Sequence, residues 1–289
     1  MKIIMIGHGM VGHKFIESVL EHVGDDVEIT ILAEEPRLAY DRVHLTEYFS
    51  GKSAKDLTLC RADFADAYGI DLRLNTKAVA IDQSHKTVTT NHGDVLSFDK
   101  LILATGSYAF VPPISGNDRE NCFVYRTIED LDAIRAASLN AKSGVVIGGG
   151  LLGLEAAKAL RDLNLETHVV EFAPRLMAVQ IDDLGGKVLR AKIENLGVKV
   201  HTQKATSSIE EGATTKHVMK FGDGSELETD IILFSAGIRP RDELARQSGL
   251  ALGERGGIMI NDYCQTSNPD IYAIGECALW QNKIYGLVA

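Results

Sequence analysis

Two short runs of the chain, KIIMI at 2–6 and GVVI at 144–147, are apolar at almost every position instead of alternating, which predicts strands buried on both faces of a parallel sheet. Each run passes into a glycine-rich segment and then into a stretch of helical periodicity, at 13–23 and 154–163. A second strand pattern follows each helix, at 27–33 and 167–170, and ends on acidic residues, Glu34-Glu35 in the first case and Glu171 in the second. Further along, apolar strands at 100–104 and 231–234 stop at Thr105-Gly106 and at Ser235-Ala236-Gly237. The offsets are similar, 148 − 7 = 141 between the glycine segments and 237 − 106 = 131 between the later glycines, so the pattern predicts an internal duplication.

The intervening segments fill out two units. A helix around 62–68 precedes strand-like pieces at 71–74, 78–82 and 87–90 and a turn at Asn91-His92-Gly93-Asp94, the pattern of an inserted β-meander. Pro112-Pro113 marks the exit from the first domain. Thr127-Ile128-Glu129-Asp130 offers an N-cap and first-turn acids for a helix at 127–137. A helix at 189–196, a strand at 198–201 and a second meander around Gly222-Asp223-Gly224 follow. After Ile238-Arg239-Pro240 come a short helix, a strand-like piece at 257–261, and a closing strand that ends at Gly275-Glu276 and returns to the first domain. The expectation is an α/β protein of two doubly wound, Rossmann-like dinucleotide-binding domains, each with an inserted meander: 1–113 plus 244–289, and 114–243.

The glycine segments carry the chemistry. Gly7-His8-Gly9-Met10-Val11-Gly12 and Gly148-Gly149-Gly150-Leu151-Leu152-Gly153 both read G-x-G-x-x-G after a strand and before a helix. The first glycine makes the tight turn, the second lets backbone approach a pyrophosphate, and the third lets helix and strand pack closely. The pyrophosphate faces the helix N-terminus, and the acid after the second strand accepts from a ribose diol. Glu171 would repel a 2′-phosphate, so the second site is expected to prefer a dinucleotide with a free ribose diol.

Composition narrows the classes. The 289 residues are 45% hydrophobic and 24% charged, enough for about two domains with real cores, and the 27 glycines fit loops and turns. A net charge of −10 with no lysine or arginine run argues against nucleic acid. No apolar run reaches the length of a membrane span, and the first strand begins too early for a signal peptide, so a cytoplasmic protein is expected. Cys60, Cys122, Cys264 and Cys277 form no CxxC pair, so neither a redox disulfide nor a metal site is expected from them.

The two fingerprints, Ala104-Thr105-Gly106, the run ending in Glu155 and the closing Tyr-Ala-Ile-Gly-acid strand resemble the FAD- and NAD(P)H-dependent pyridine nucleotide reductases over the whole chain. More specifically, residues 35–45 (EPRLAYDRVHL), 122–131 (CFVYRTIEDL) and 171–177 (EFAPRLM) resemble the flavoprotein part of the large subunits of NADH-dependent siroheme nitrite reductases. That resemblance implies that NADH reduces FAD and that electrons pass to a [4Fe-4S] cluster and siroheme in later domains, where nitrite becomes ammonia. It further implies a small nitrite reductase subunit as a partner, a homo-oligomeric full-length protein, and a fragment that stops at Ala289 where relatives begin a helix facing the flavin.

Position by position, the resemblance implies FAD contacts from Gly7, Gly9, Met10, Val11 and Gly12, from Glu34 or Glu35 at the ribose, and from Arg42 and Val79. Ala104, Thr105, Gly106, Gly275, Glu276 and Val288 complete that set. The alternative for Arg42 is a surface pairing with Asp41 or Glu47, and Val79 would serve packing in any case. For NADH the implied contacts are Gly148, Gly150, Leu151, Leu152, Gly153, Glu171, Ala236 and Gly237, with Glu155 near the nicotinamide or, alternatively, a solvated helix glutamate. Residues 38–45 contain no cysteine, and Glu47 stands nearest to where many relatives place a flavin-side lysine, so peroxide and disulfide chemistry are disfavoured. His8, His13 and His44 lie near the motifs, yet hydride transfer from nicotinamide to flavin needs no protein acid or base. Alternatives are a free-standing NADH:rubredoxin or ferredoxin reductase, an NADH oxidase, or a non-catalytic FAD/NAD-binding redox sensor.

Overall fold

The first strand, Lys2–Ile6, sits at the centre of a five-stranded parallel sheet in the order Ile271–Ala273, Lys100–Leu103, Lys2–Ile6, Glu28–Leu32, Asp71–Arg73. Side chains of a strand alternate between faces, and both faces here are covered. Ile4 and Ile6 pack with Leu101, Leu103 and the meander residues Ala78, Ile81 and Val88. Ile3 and Met5 pack on the opposite face with Ile16 of the helix Met10–Val23 and with Ile31 and Phe64. Continuous hydrophobicity is thus the mark of a strand between two cores.

The computed structural model describes residues 1–23 and 27–285. It divides into two units, one containing residues 1–41, 55–108 and 239 onward, the other residues 42–54 and 109–238. The second unit repeats the first: Val198–His201, Glu166–Val170, Ser143–Ile147, Ile231–Phe234 and Cys122–Val124 form a parallel sheet in that order. Ser143–Ile147 is buried at every position. Val145 and Ile147 pack against Ile209, Met219 and Phe221 of an antiparallel meander formed by Thr206–Glu211, His217–Phe221 and Glu226–Thr229. The two meanders share a further detail. Each has a bulge near the start of its first strand, between Ala78 and Ala80 in one and between Thr206 and Ser208 in the other.

Three details depart from the sequence reading. Asp71–Arg73 belongs to the parallel sheet, and the third strand of the first meander is Val95–Ser97, whose three residues are too few to show a period. The helix expected at 189–196 begins at Asp183, because the Asp182 side chain accepts from the Gly185 amide and caps a first turn that Gly185-Gly186 had disguised. Finally, residues 42–54 pack with the second unit although they lie inside the expected first domain. The reason is a dense polar and aromatic contact with the helix Ile128–Ser138 and its surroundings. Tyr48 donates to the Asp132 carboxylate, Arg135 donates to the Tyr48 carbonyl at 2.8 Å, and its guanidinium lies 4.1 Å from the Tyr48 ring centroid. Tyr125 donates to Thr46 at 3.1 Å and Ser50 to Asp162 at 2.9 Å.

The helix Ile128–Ser138 starts on the expected cap. Thr127 accepts from the Asp130 amide at 3.2 Å, while the Asp130 carboxylate accepts from the Thr127 and Arg126 amides at 2.8 and 3.0 Å. Replacing Thr127 by Ala is expected to lower stability by about 1 kcal/mol. Urea denaturation of the two proteins, with unchanged slope and a lower midpoint for the variant, checks this.

Candidate dinucleotide-binding sites

In both units the glycine segment lies where the strand order reverses, at the carboxyl ends of the central strands, which is where open α/β sheets bind ligands. Gly7 has φ +103°, donates to the Leu32 carbonyl at 2.9 Å, and lies so close to the Ala104 carbonyl that a Cβ would come within 2.3 Å of its oxygen. Gly148 repeats this with φ +122°, a bond to the Val170 carbonyl at 2.9 Å, and a Cβ-to-oxygen distance of 2.2 Å at Ser235. The third glycines, Gly12 and Gly153, close against the carbonyls of Gly7 and Gly148, where a Cβ would stand 2.8 and 2.0 Å away. The second glycines differ. A Cβ at Gly9 or Gly150 would meet nothing within 4 Å. Packing therefore requires four of these six glycines, and the other two leave open space at a helix N-terminus, which fits the approach of a diphosphate.

Around the first loop, Val11 lies against Gly275, where an added Cβ would be 3.3 Å from the valine. Glu276 accepts from the buried Ser107 hydroxyl at 2.7 Å. Ala104 follows the strand Lys100–Leu103, the Thr105 hydroxyl donates to the Arg241 carbonyl at 2.7 Å, and the Gly106 carbonyl accepts from the Arg241 amide at 2.9 Å. Met10 opens the helix behind the loop. Glu34 pairs with Lys77 at 3.0 Å and Arg241 at 2.8 Å. Burial raises its carboxyl pKa, but the two cations outweigh burial and hold it below the ordinary value. Glu35 accepts from Tyr40 at 2.8 Å. Val79 is the bulged residue of the meander, 41% exposed. Arg42 falls in the second unit, where it donates to the Arg126 carbonyl at 2.8 Å, and Val288 lies outside the described residues.

In the second unit, Glu171 follows its strand directly. One carboxylate oxygen accepts from the Gly149 amide at 2.5 Å and the other from the Ala173 amide at 2.6 Å, so the acid is tied to the glycine loop. Gly149 and Ala173 were not singled out from the sequence, since a backbone amide has no residue signature; nor was Met177, whose amide donates to the Gly149 carbonyl at 2.8 Å. Leu151 and Leu152 form the first turn of the helix Leu151–Asp162. Ala236 lies beside Gly148, and the Gly237 carbonyl accepts from the Phe110 amide at 2.8 Å. Glu155 is half-buried on the same helix. Burial raises its carboxyl pKa, and His44 counteracts.

All four cysteines are free, and burial pushes the Cys122 thiol up to about 11. Among the described residues no group of His, Cys, Asp and Glu could hold a metal ion, and no helix is long and apolar enough to cross a membrane.

The glycine geometry separates two kinds of substitution. Gly9→Ala is expected to keep its thermal midpoint while losing dinucleotide affinity, whereas Gly12→Ala must displace the Gly7 carbonyl and is expected to unfold several degrees lower. Calorimetry together with a binding titration distinguishes them. His8, stacked near Phe64 with ring centroids 6.4 Å apart, has no hydrogen-bond partner for either ring nitrogen among the described residues. Burial, then His13, pushes its pKa from 6.5 down to about 4. The unfolded chain therefore binds the proton first, and stability is expected to fall as pH drops from about 6.5 to about 4, with a shallower fall in His8→Gln. Urea midpoints across that window check it.

Comparison with known proteins identifies the family. Residues 1–288 match the family model described as pyridine nucleotide-disulphide oxidoreductase. The chain is 55% identical over 290 residues to the nitrite reductase (NADH) large subunit of Escherichia coli (strain K12), covering 100% of this chain and 34% of that protein. It is 57% identical over 291 residues to the nitrite reductase [NAD(P)H] large subunit of Klebsiella oxytoca, covering 99% of this chain and 30% of that protein. It thus spans about a third of the length of these relatives. Among solved structures, a NAD-dependent persulfide reductase from A. fulgidus superposes with a TM-score of 0.90 at 30% identity, over 96% of this chain and 53% of that one. With residues 1–288 matched by the family model and its glycine loops built as the fold requires, the chain belongs to the pyridine nucleotide-disulphide oxidoreductase family.

Proposed function

We propose that this chain is the electron-entry module of an NADH-dependent nitrite reductase, with FAD in the first unit and NADH in the second. The observation that carries the reading is the pair of glycine loops whose second glycines face open space, each at a helix N-terminus. In the first unit Gly7, Gly9 and Gly12 would admit the FAD diphosphate, with Glu34 or Glu35 taking the adenosine ribose and Ala104 to Gly106, Gly275 and Glu276 lying around the same loop. In the second, Gly148, Gly150 and Gly153 would admit the NADH diphosphate, with Glu171 at the ribose diol and Glu155 toward the nicotinamide.

When bound, the flavin supplies the step from a two-electron donor to one-electron acceptors. The protein supplies alignment and a fixed charge pattern. The high identity to nitrite reductase large subunits supports a [4Fe-4S]/siroheme centre as the onward acceptor, in parts of the relatives that this chain does not span, with a small subunit and homo-oligomer assembly as further partners. A free-standing NADH oxidase or rubredoxin reductase is the second reading, favoured by whole-chain similarity to proteins of those names at 30% and 31% identity.

The test is the visible spectrum of the FAD-supplemented, desalted protein under anaerobic conditions. NADH is expected to bleach the flavin bands and NADPH to do so far less. A protein that retains flavin but does not bleach would support a non-catalytic sensor and overturn the proposal. In Glu171→Gln the preference for NADH is expected to fall by about tenfold or more, since one charge–charge contact near a protein surface is worth roughly 1 to 4 kcal/mol. Nitrite-dependent NADH oxidation by the full-length polypeptide then distinguishes nitrite reductase from oxidase, which consumes dioxygen instead.

A further inference from the structure

We infer that Phe172 is the stacking platform for the adenine ring of the nucleotide held in the second unit, an inference that rests on the NADH reading above. Phe172 is 77% exposed, directly after the acid assigned to the ribose diol. Scattered exposed apolar side chains are ordinary. This one, however, projects from a turn that is held firmly on both sides.

The Glu171 amide donates to the His201 carbonyl at 2.8 Å, the Lys204 amide to the Glu171 carbonyl at 3.0 Å, and the Gln203 amide to the Ala173 carbonyl at 3.0 Å. The Glu171 carboxylate adds its bonds from the Gly149 and Ala173 amides. A hydrophobic ring carried on a held turn beside a nucleotide loop is well matched by a flat, apolar face. Adenine is bonded to the ribose carbon next to the one bearing the 2′-hydroxyl, and the residue after the acid has its Cα about 3.8 Å further on. The base therefore arrives within reach of the ring, and every base offers a π-face to an aromatic side chain.

The duplication supplies an internal comparison. Leu32 pairs with Ile6 as Val170 pairs with Ile147, so Ala33 stands where Glu171 does and Glu34 stands where Phe172 does. The first unit completes the same fold without an aromatic at that position. The phenylalanine is an addition to the second unit and no requirement of the fold.

The test is calorimetric titration of the FAD-loaded protein with NAD⁺, AMP and NMN, none of which reduces the flavin. FAD fills the adenosine site of the first unit, so AMP reports on the second. Phe172→Ala is expected to weaken NAD⁺ and AMP each by about tenfold, with NMN changed by less than about twofold, and Phe172→Trp to restore both adenine-bearing ligands. Wild-type affinity for AMP in Phe172→Ala, or an equal loss for all three ligands, would overturn the assignment. Absence of NAD⁺ and AMP binding in the wild-type protein would overturn the nucleotide reading of the second unit itself, and this inference with it. Because the side chain is exposed, an altered thermal midpoint is not expected in either variant.

Discussion

Everything at both sites depends on a contact between two pieces of backbone. At Gly7 and at Gly148 the chain leaves a central strand with positive φ and passes so near the carbonyl of Ala104 or Ser235 that a single methyl group would collide with it. No L-residue with a side chain satisfies both conditions, so these positions are closed to substitution before any ligand is considered. The helix must then return over the same turn, which presses Gly12 and Gly153 onto the carbonyls of Gly7 and Gly148. The result is a helix N-terminus beside open space at Gly9 and at Gly150.

This constraint explains what the sequence discloses. A position closed to side chains leaves glycine as its trace, so both loops, the strands that feed them and the acids that follow are legible from residue order. The same holds for the cap at Thr127, where one hydroxyl and the carboxylate of Asp130 satisfy named amides. Interactions made by backbone leave no such trace. The amides of Gly149, Ala173 and Met177 could belong to any residue type, and Val95–Ser97 is too short to carry a period. The packing of residues 42–54 with the second unit was hidden for another reason: Tyr48, Asp132 and Arg135 are ordinary surface residue types, and only their conjunction is informative.

The two units solve one structural problem and diverge in their electrostatics. Glu34 sits between Lys77 and Arg241, a carboxylate whose charge is already compensated by side chains. Glu171 is compensated by peptide amides instead, two short bonds that tie it to the glycine loop. A carboxylate held by backbone keeps its position whatever the surface lysines do, and its placement is accordingly less sensitive to salt than that of a carboxylate held by mobile cations. His8, inside the first loop, is neutral in the physiological range because burial forbids its charge.

The excursion of residues 42–54 gives the chain an unusual connectivity. It passes from one unit to the other after residues 41, 54, 108 and 238, so each unit is assembled from separated pieces of sequence. During synthesis the segment carrying Tyr48 emerges long before Asp132 and Arg135, and the first unit lacks a strand at the edge of its sheet until Ile271–Ala273 has been made. The second unit has all of its pieces once residue 238 has been made, the first only after Ile271–Ala273, and no single cut releases either of them whole. The pieces of the two units thus alternate along the chain, and the unit that begins first is the one that closes last.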